Sequence, residues 1–141
     1  MPGAIAYALL SLPLAFLVFT KRFTAHDPIV IGIQVAGLLL VIWARITFGT
    51  RSLHAGSNPT AGGLVTTGPY RFVRHPIYTG ALVIMVGTLV AHHDLYAFIA
   101  VACVAVGLVV RMIAEERAVV RTYPEYADYA KRTKRVIPWI L

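Results

Sequence analysis

The sequence predicts an all-α integral membrane protein, with about four transmembrane helices plus a short C-terminal interfacial helix. Three observations predict it. Hydrophobic residues make up 58% of the 141 positions and charged residues only 13%, with a mean hydropathy of +0.73, more apolar than a soluble domain of this size sustains. The apolar residues gather into four long uncharged runs. The basic residues gather in two of the segments around those runs and avoid a third.

The runs are Gly3 to Thr20, Pro28 to Ala44, Pro76 to Ala91 and Leu95 to Val110. Each is short for a hydrocarbon core about 30 Å thick, so flanking polar residues belong to the same helices. The expected spans are therefore about 3–20, 28–46, 76–92 and 95–116 of a single membrane domain. A loop over 47–75 and a tail over 117–141 complete it. The first run could be mistaken for a signal peptide, but it lacks a basic leading region. Lys21-Arg22 follows it in place of a small-residue cleavage site, so it reads as a retained helix.

Charge placement predicts orientation. The second connection carries Arg45, Arg51, Arg71 and Arg74, and the tail carries Arg111, Arg117, Arg121, Lys131, Arg132, Lys134 and Arg135. The third connection, around His92-His93-Asp94, carries no Lys or Arg. Both basic regions, both termini and any site built on them are expected on the cytoplasmic side. Lys21-Arg22 in a short external loop opposes that rule mildly.

Between Phe48 and Pro69 the composition shifts to Gly, Ser, Thr, Asn and Pro, with Asn58-Pro59 and Gly62-Gly63, which reads as a loop with turns. In the tail, Tyr123, Tyr126 and Tyr129 recur every three residues. A short amphipathic helix from about Pro124 to Arg132 is expected there, with Pro124 in its first turn. Gly32, Gly37, Gly80 and Gly87 are expected to be close-packing positions between helices.

Composition also excludes functions. Thirteen Lys and Arg against six Asp and Glu give a net charge of +7, but no basic helix with interleaved aromatics stands outside the apolar runs. Nucleic acid is not the expected partner; an anionic leaflet is. Cys103 is the one cysteine, so no intrachain disulfide can form, and it reads as a buried packing residue. His92-His93-Asp94 lies in a tight loop away from other ligand types, and no metal is expected there.

Two clusters can carry chemistry. Arg111 follows a run of 16 apolar residues, about 24 Å of helix, which places its guanidinium near the inner edge of the hydrocarbon. An ionisable group at that depth usually has a partner. Glu115 is one turn on along the same face and Glu116 is adjacent. One reading is a snorkelling arginine with a surface ion pair; the other is a site in which Arg111 holds an anionic group and the acid pair binds a polar or cationic ligand. The second cluster is Gly68-Pro69-Tyr70-Arg71-Phe72-Val73-Arg74-His75-Pro76-Ile77-Tyr78-Thr79-Gly80. It sets two arginines, a histidine and two tyrosines at a helix start, whose unpaired N–H groups suit a carboxylate. Basic anchoring and an interfacial aromatic belt are the alternatives for Arg71, Arg74, Tyr70 and Tyr78.

That thirteen-residue segment, followed by Arg111-Met112-Ile113-Ala114-Glu115-Glu116 and then by Tyr126, Tyr129, Arg132 and Ile137-Pro138, resembles the isoprenylcysteine carboxyl methyltransferase family and its phospholipid N-methyltransferase relatives. The resemblance runs from about Leu64 to the end. It implies a membrane-embedded methyltransferase using S-adenosyl-L-methionine without a Rossmann-type domain, and the sequence has no glycine fingerprint after a strand. It implies a cofactor pocket formed by Tyr70, Arg74, His75, Pro76, Tyr78, Glu115, Glu116, Tyr126 and Tyr129, with Arg111 and Glu115 as the catalytic pair. The acceptor would enter laterally from the bilayer, as an apolar or lipid-like molecule bearing a carboxylate, or an amine or thiol. The chain is shorter than the eukaryotic enzymes of that family, so whether prenylated proteins are substrates stays open. Oligomeric state stays open. The competing expectation is a non-catalytic scaffold with a lipid-binding basic tail. A proton-coupled transporter fits poorly, because Gln34 and Thr88 are nearly the only polar residues along the runs.

Overall fold

The computed structural model describes residues 2–23, 25–49 and 63–138. Arg51, the expected turn at Asn58-Pro59 and Gly62 beside it lie outside these residues. Five helices account for nearly all regular structure in the described residues: α1 (Pro2–Phe19), α2 (Pro28–Phe48), α3 (Pro76–Ala91), α4 (Leu95–Thr122) and α5 (Tyr126–Arg132), with a 3₁₀ turn over Gly68–Arg71. An isolated parallel bridge joins Val73 to Lys134.

Helix starts follow local chemistry. Asp27 caps α2, accepting from the N–H groups of Ile29 and Val30 at 2.8 and 3.2 Å, and Asp94 caps α4, accepting from Ala97 N–H at 2.9 Å. Pro28 and Pro76 occupy first turns, where the missing N–H costs no helical bond. The α4 helix runs to Thr122, six residues beyond the expected end. Nothing between Val110 and Tyr123 breaks a helix, and Pro124 forces Tyr123 into an extended backbone at φ −121° and ψ 100°. The last helix accordingly starts at Tyr126 rather than at Pro124.

Two helices, α2 and α4, are long and apolar enough to cross a membrane, fewer than the four expected. The Tyr7–Phe19 part of α1 and the whole of α3 are apolar but shorter. The 16 residues of α3 reach only about 24 Å.

The helices pack as two pairs. α2 lies along α3, α1 lies along α4, and α3 joins the pairs by a lighter contact with α4. Glycine makes the first pair close. A Cβ on Gly80 would stand 2.6 Å from the Gly37 carbonyl oxygen, one on Gly37 would stand 2.7 Å from the Gly80 carbonyl oxygen, and one on Gly87 would stand 2.7 Å from Gln34 Cγ. Gly32 does not share that role: a Cβ there meets nothing within 4 Å, because it faces away from α3. At the α1–α4 crossing, a Cβ on Gly107 would meet Leu9 and Leu10 at 3.1 Å.

Leu17, Met85, Ala100, Val101, Val104 and Leu108 form the core between the pairs. Cys103 is half-buried rather than buried, one position off that core face. The polar residues of the interior are satisfied internally. Buried Thr88 donates to the Ile84 carbonyl at 3.3 Å, while Gln34 donates to the Phe23 carbonyl at 3.0 Å and to the Thr88 hydroxyl at 3.5 Å.

Candidate active site

The segment before α3 is held by the returning tail. Arg74 N–H donates to the Lys134 carbonyl at 2.7 Å and His75 N–H to the Arg135 carbonyl at 2.9 Å. The Thr79 hydroxyl, one turn inside α3, donates to the Val136 carbonyl at 2.7 Å. Arg74 also reaches across to the tail, donating to the carbonyls of Ala130, at 2.9 Å, and Thr133. Three stretches far apart in sequence thus meet at one end of the bundle: 70–79, 111–116 and 126–136.

Helical phase separates the two carboxylates of α4. Glu115 lies one turn from Arg111 and points with it toward α3; Glu116 is rotated about 100° around the helix and points toward the tail. Arg111 Nε donates to Glu115 Oε1 at 2.9 Å and also to the Tyr78 hydroxyl at 2.9 Å. The Tyr78 hydroxyl donates in turn to Glu115 Oε1 at 2.6 Å. Phenol, guanidinium and carboxylate form a closed triangle.

Glu116 collects the rest. Arg74 Nε donates to its Oε1 at 3.0 Å and Arg135 Nε to its Oε2 at 3.0 Å, while His75 Nε2 lies 3.3 Å from Oε1. The side chains of Arg74 and Glu116 are only 11% and 12% exposed. Charges so far removed from water persist where they are paired and hydrogen-bonded. His75 links the two carboxylates: its Nδ1 is 4.0 Å from Glu115 Oε2, and its ring stacks on Tyr78 with centroids 5.4 Å apart and planes 10° from parallel.

The tail tyrosines brace this arrangement from behind. Tyr129 is buried and donates its hydroxyl to the Tyr70 carbonyl at 2.6 Å. Its ring meets Tyr126 edge-on at 5.9 Å, and Tyr70 packs on Phe48 at 5.6 Å. Burial pushes the Tyr129 phenol up to about 12. Burial, and then the nearby Glu116 charge, raise Tyr126 as well; burial, and then Tyr129, do the same for Tyr70. All three remain neutral donors at physiological pH.

Of the residues expected at the site, Arg74, His75, Tyr78, Arg111, Glu115 and Glu116 come together in one network. Pro76 is buried in the first turn of α3 and sets where that helix starts. Tyr70 and Tyr129 are engaged with each other. Arg135, Thr79 and Tyr7 also belong to the assembly, although the sequence marks none of them as a site residue. Arg135 counts there only as one more tail charge, and Tyr7, whose ring lies under the Arg111 guanidinium at 4.8 Å, is the lone aromatic hydroxyl of the first run. No group of three or more His, Cys, Asp or Glu among the described residues is placed to hold a metal ion.

The described residues are helical in nearly all their regular structure, two helices are apolar and long enough to cross a membrane, and an Arg–Glu–Tyr network gathers at one end of the bundle, the pattern of a helical membrane protein. The chain belongs to the phospholipid methyltransferase family, whose model matches residues 29–126. The chain is 38% identical over 77 residues to the nickel-cobalt-cadmium resistance protein NccN of Alcaligenes xylosoxydans xylosoxydans, covering 53% of this chain and 36% of that one. It is likewise 38% identical over 77 residues to the cobalt-zinc-cadmium resistance protein CzcN of Cupriavidus metallidurans, covering 53% and 35%. With methanethiol S-methyltransferase 1 of Bradyrhizobium diazoefficiens it shares 36% identity over 73 residues, covering 50% and 24%. The matched part thus spans about a third or less of these relatives. No solved structure matches the chain.

Proposed function

We propose that this chain is an S-adenosyl-L-methionine-dependent methyltransferase acting on the carboxylate, amine or thiol of an apolar or lipid-like acceptor that reaches the site from the bilayer. All four apolar helices, α1 to α4, span the membrane in this reading, with both termini and the site on the cytoplasmic side, which the basic charge of the loop and tail supports. The observation that carries it is the network joining the start of α3 to α4: a phenol, two carboxylates, a histidine and three arginines gathered at one end of the bundle, which in this reading is where an apolar acceptor and a water-soluble donor meet.

The donor set fits S-adenosyl-L-methionine, which supplies an electrophilic methyl group on a sulfonium when bound. Glu115 and Glu116 suit its ammonium and ribose hydroxyls, arginine suits its carboxylate, and the stacked faces of His75 and Tyr78 suit its flat base and positive sulfur. On the acceptor side, Arg111 orients an anionic nucleophile, and holding the reactants in line supplies much of the rate. A carboxylate needs no base. A thiol or ammonium must lose a proton, and Glu115, hydrogen-bonded to Tyr78, is the group placed to take it. The relative named as a methanethiol S-methyltransferase favours including thiols.

The test is saturable binding of tritiated S-adenosyl-L-methionine to the purified protein in detergent, followed by methyl transfer to octanoate, octylamine and octanethiol as probes of equal chain length. Binding lost in His75→Ala and Glu116→Ala, and retained in Arg111→Ala with turnover abolished, is the expected pattern. No saturable binding, or binding indifferent to all three substitutions, returns the chain to the scaffold reading.

A further inference from the structure

We infer that Tyr7, on α1 and outside the stretch matched by the family, is a positioning residue of the active site that holds the Arg111 guanidinium in register with Tyr78 and Glu115. The inference rests on the methyltransferase reading above.

The Arg111 Nε donates to both Glu115 and Tyr78, which anchors one edge of the guanidinium, and what lies against its face also bears on the orientation of the plane. The Tyr7 ring lies there, its centroid 4.8 Å from the guanidinium carbon. An arginine plane held against an aromatic face is fixed in orientation as well as in position. The contact is built by the helix crossing itself. Leu9 and Leu10 seat against Gly107, where even a Cβ would stand 3.1 Å from them, and Arg111 is one turn beyond Gly107 on the same face of α4. Tyr7 is also about half exposed, at 45%, on the outer side of the pair. It therefore stands between the bilayer and the Arg111–Tyr78–Glu115 triangle, the side from which an apolar acceptor approaches.

The expected signature separates positioning from folding and from cofactor binding. In nanodiscs, Tyr7→Leu lowers turnover of the preferred probe acceptor by about tenfold, the scale of one desolvated cation–π contact. Tyr7→Phe, which keeps the ring and loses the hydroxyl, recovers part of that loss. Affinity for tritiated S-adenosyl-L-methionine stays within about twofold of the parent chain in both variants, since Tyr7 acts through Arg111, which this reading assigns to the acceptor. The ¹⁵Nε–¹H resonance of Arg111, assigned by its loss in Arg111→Lys, moves in Tyr7→Leu because the ring current above it is gone, and this holds even without turnover. Equal turnover in all three proteins, or an unmoved Arg111 resonance, overturns the inference. Cofactor affinity falling in parallel with turnover overturns it too, by assigning Tyr7 to the fold or the cofactor. If the parent chain binds no S-adenosyl-L-methionine, the methyltransferase reading fails instead, and the resonance still reports on Tyr7.

Discussion

The two ends of the helix bundle handle charge in opposite ways. Where the α1–α2 connection meets the α3–α4 turn, Arg22 pairs with Asp94 at 2.9 Å, with side chains 30% and 38% exposed, and the Arg22 guanidinium also lies 5.6 Å from the Tyr96 ring centre. At the other end Glu116 alone accepts from two arginines and meets a histidine, while Glu115 shares a proton-bearing triangle with Arg111 and Tyr78. The first end ties two short connections together and offsets the Arg22 charge with that of Asp94. The second concentrates charge where desolvation makes it costly, with almost every donor and acceptor answered. Replacing such a network by packed apolar residues tends to be neutral or stabilising, so stability alone gives no reason to gather these charges.

The largest effect that sharpens this contrast is expected at Glu116. Glu116→Ala leaves Arg74, Arg135 and His75 facing one another without a counter-charge and releases the tail from the start of α3. The expected loss is about 3 kcal/mol of stability, the scale for breaking a buried pair by removing one partner. Thermal unfolding in detergent measures it, and trypsin measures the release, since Lys131, Arg132 and Lys134 are exposed in the tail. A variant that melts like the parent and resists trypsin equally would show that the network does not hold the tail.

A smaller cost is expected where backbone, not charge, makes the contact. Gly80→Ala places a Cβ 2.6 Å from the Gly37 carbonyl oxygen, so α2 and α3 must separate, at about 1–3 kcal/mol for overpacking. Gly32→Ala, on the open face of α2, is expected to be neutral or slightly stabilising, since alanine favours helix over glycine by about 1 kcal/mol. Equal melting temperatures for the two variants would remove the close α2–α3 packing from the account.

Sequence and structure agree best where the deciding interaction is local. The starts of α2, α3 and α4 fall at the expected Pro28, Pro76 and Leu95, because prolines and the turn before them act within a few residues. The Arg111–Glu115 pair is legible from helical phase, four residues being one turn. What depends on the path of the chain in space is not legible. Arg135 reaches Glu116 only because the tail doubles back to bond with 74 and 75. Tyr7 reaches Arg111 only because α1 crosses α4 at Gly107. The four glycines look alike along the chain, and only the rotation of α2 about its own axis makes Gly37 a contact and Gly32 open surface. The end of α4 escapes the sequence for a related reason: hydropathy reports where an apolar core ends, whereas the helix continues until Pro124 stops it.

The smallest effect is expected at the exposed end, and its pH dependence tests whether that end is as loosely held as its exposure implies. The Asp94 carboxyl lies below its ordinary value of 3.8, held there first by the Ala97 N–H it caps and then by Arg22. A group whose folded pKa is depressed adds stability that is full above the unfolded value and is lost as pH falls through the folded one. Asp94→Asn keeps an oxygen for the cap but has no charge to titrate. The melting-temperature difference between the parent and Asp94→Asn should therefore be constant from about pH 7 to about pH 5 and close as pH drops below about 4. Arg22→Gln should shrink that difference without abolishing it, because the Ala97 bond remains. A loss in Arg22→Gln as large as that in Glu116→Ala, or a difference that salt at about 0.5 M leaves untouched, would mean that the exposed pair is held as firmly as the network at the other end, and the distinction between anchoring charge and working charge would no longer divide the molecule by its ends.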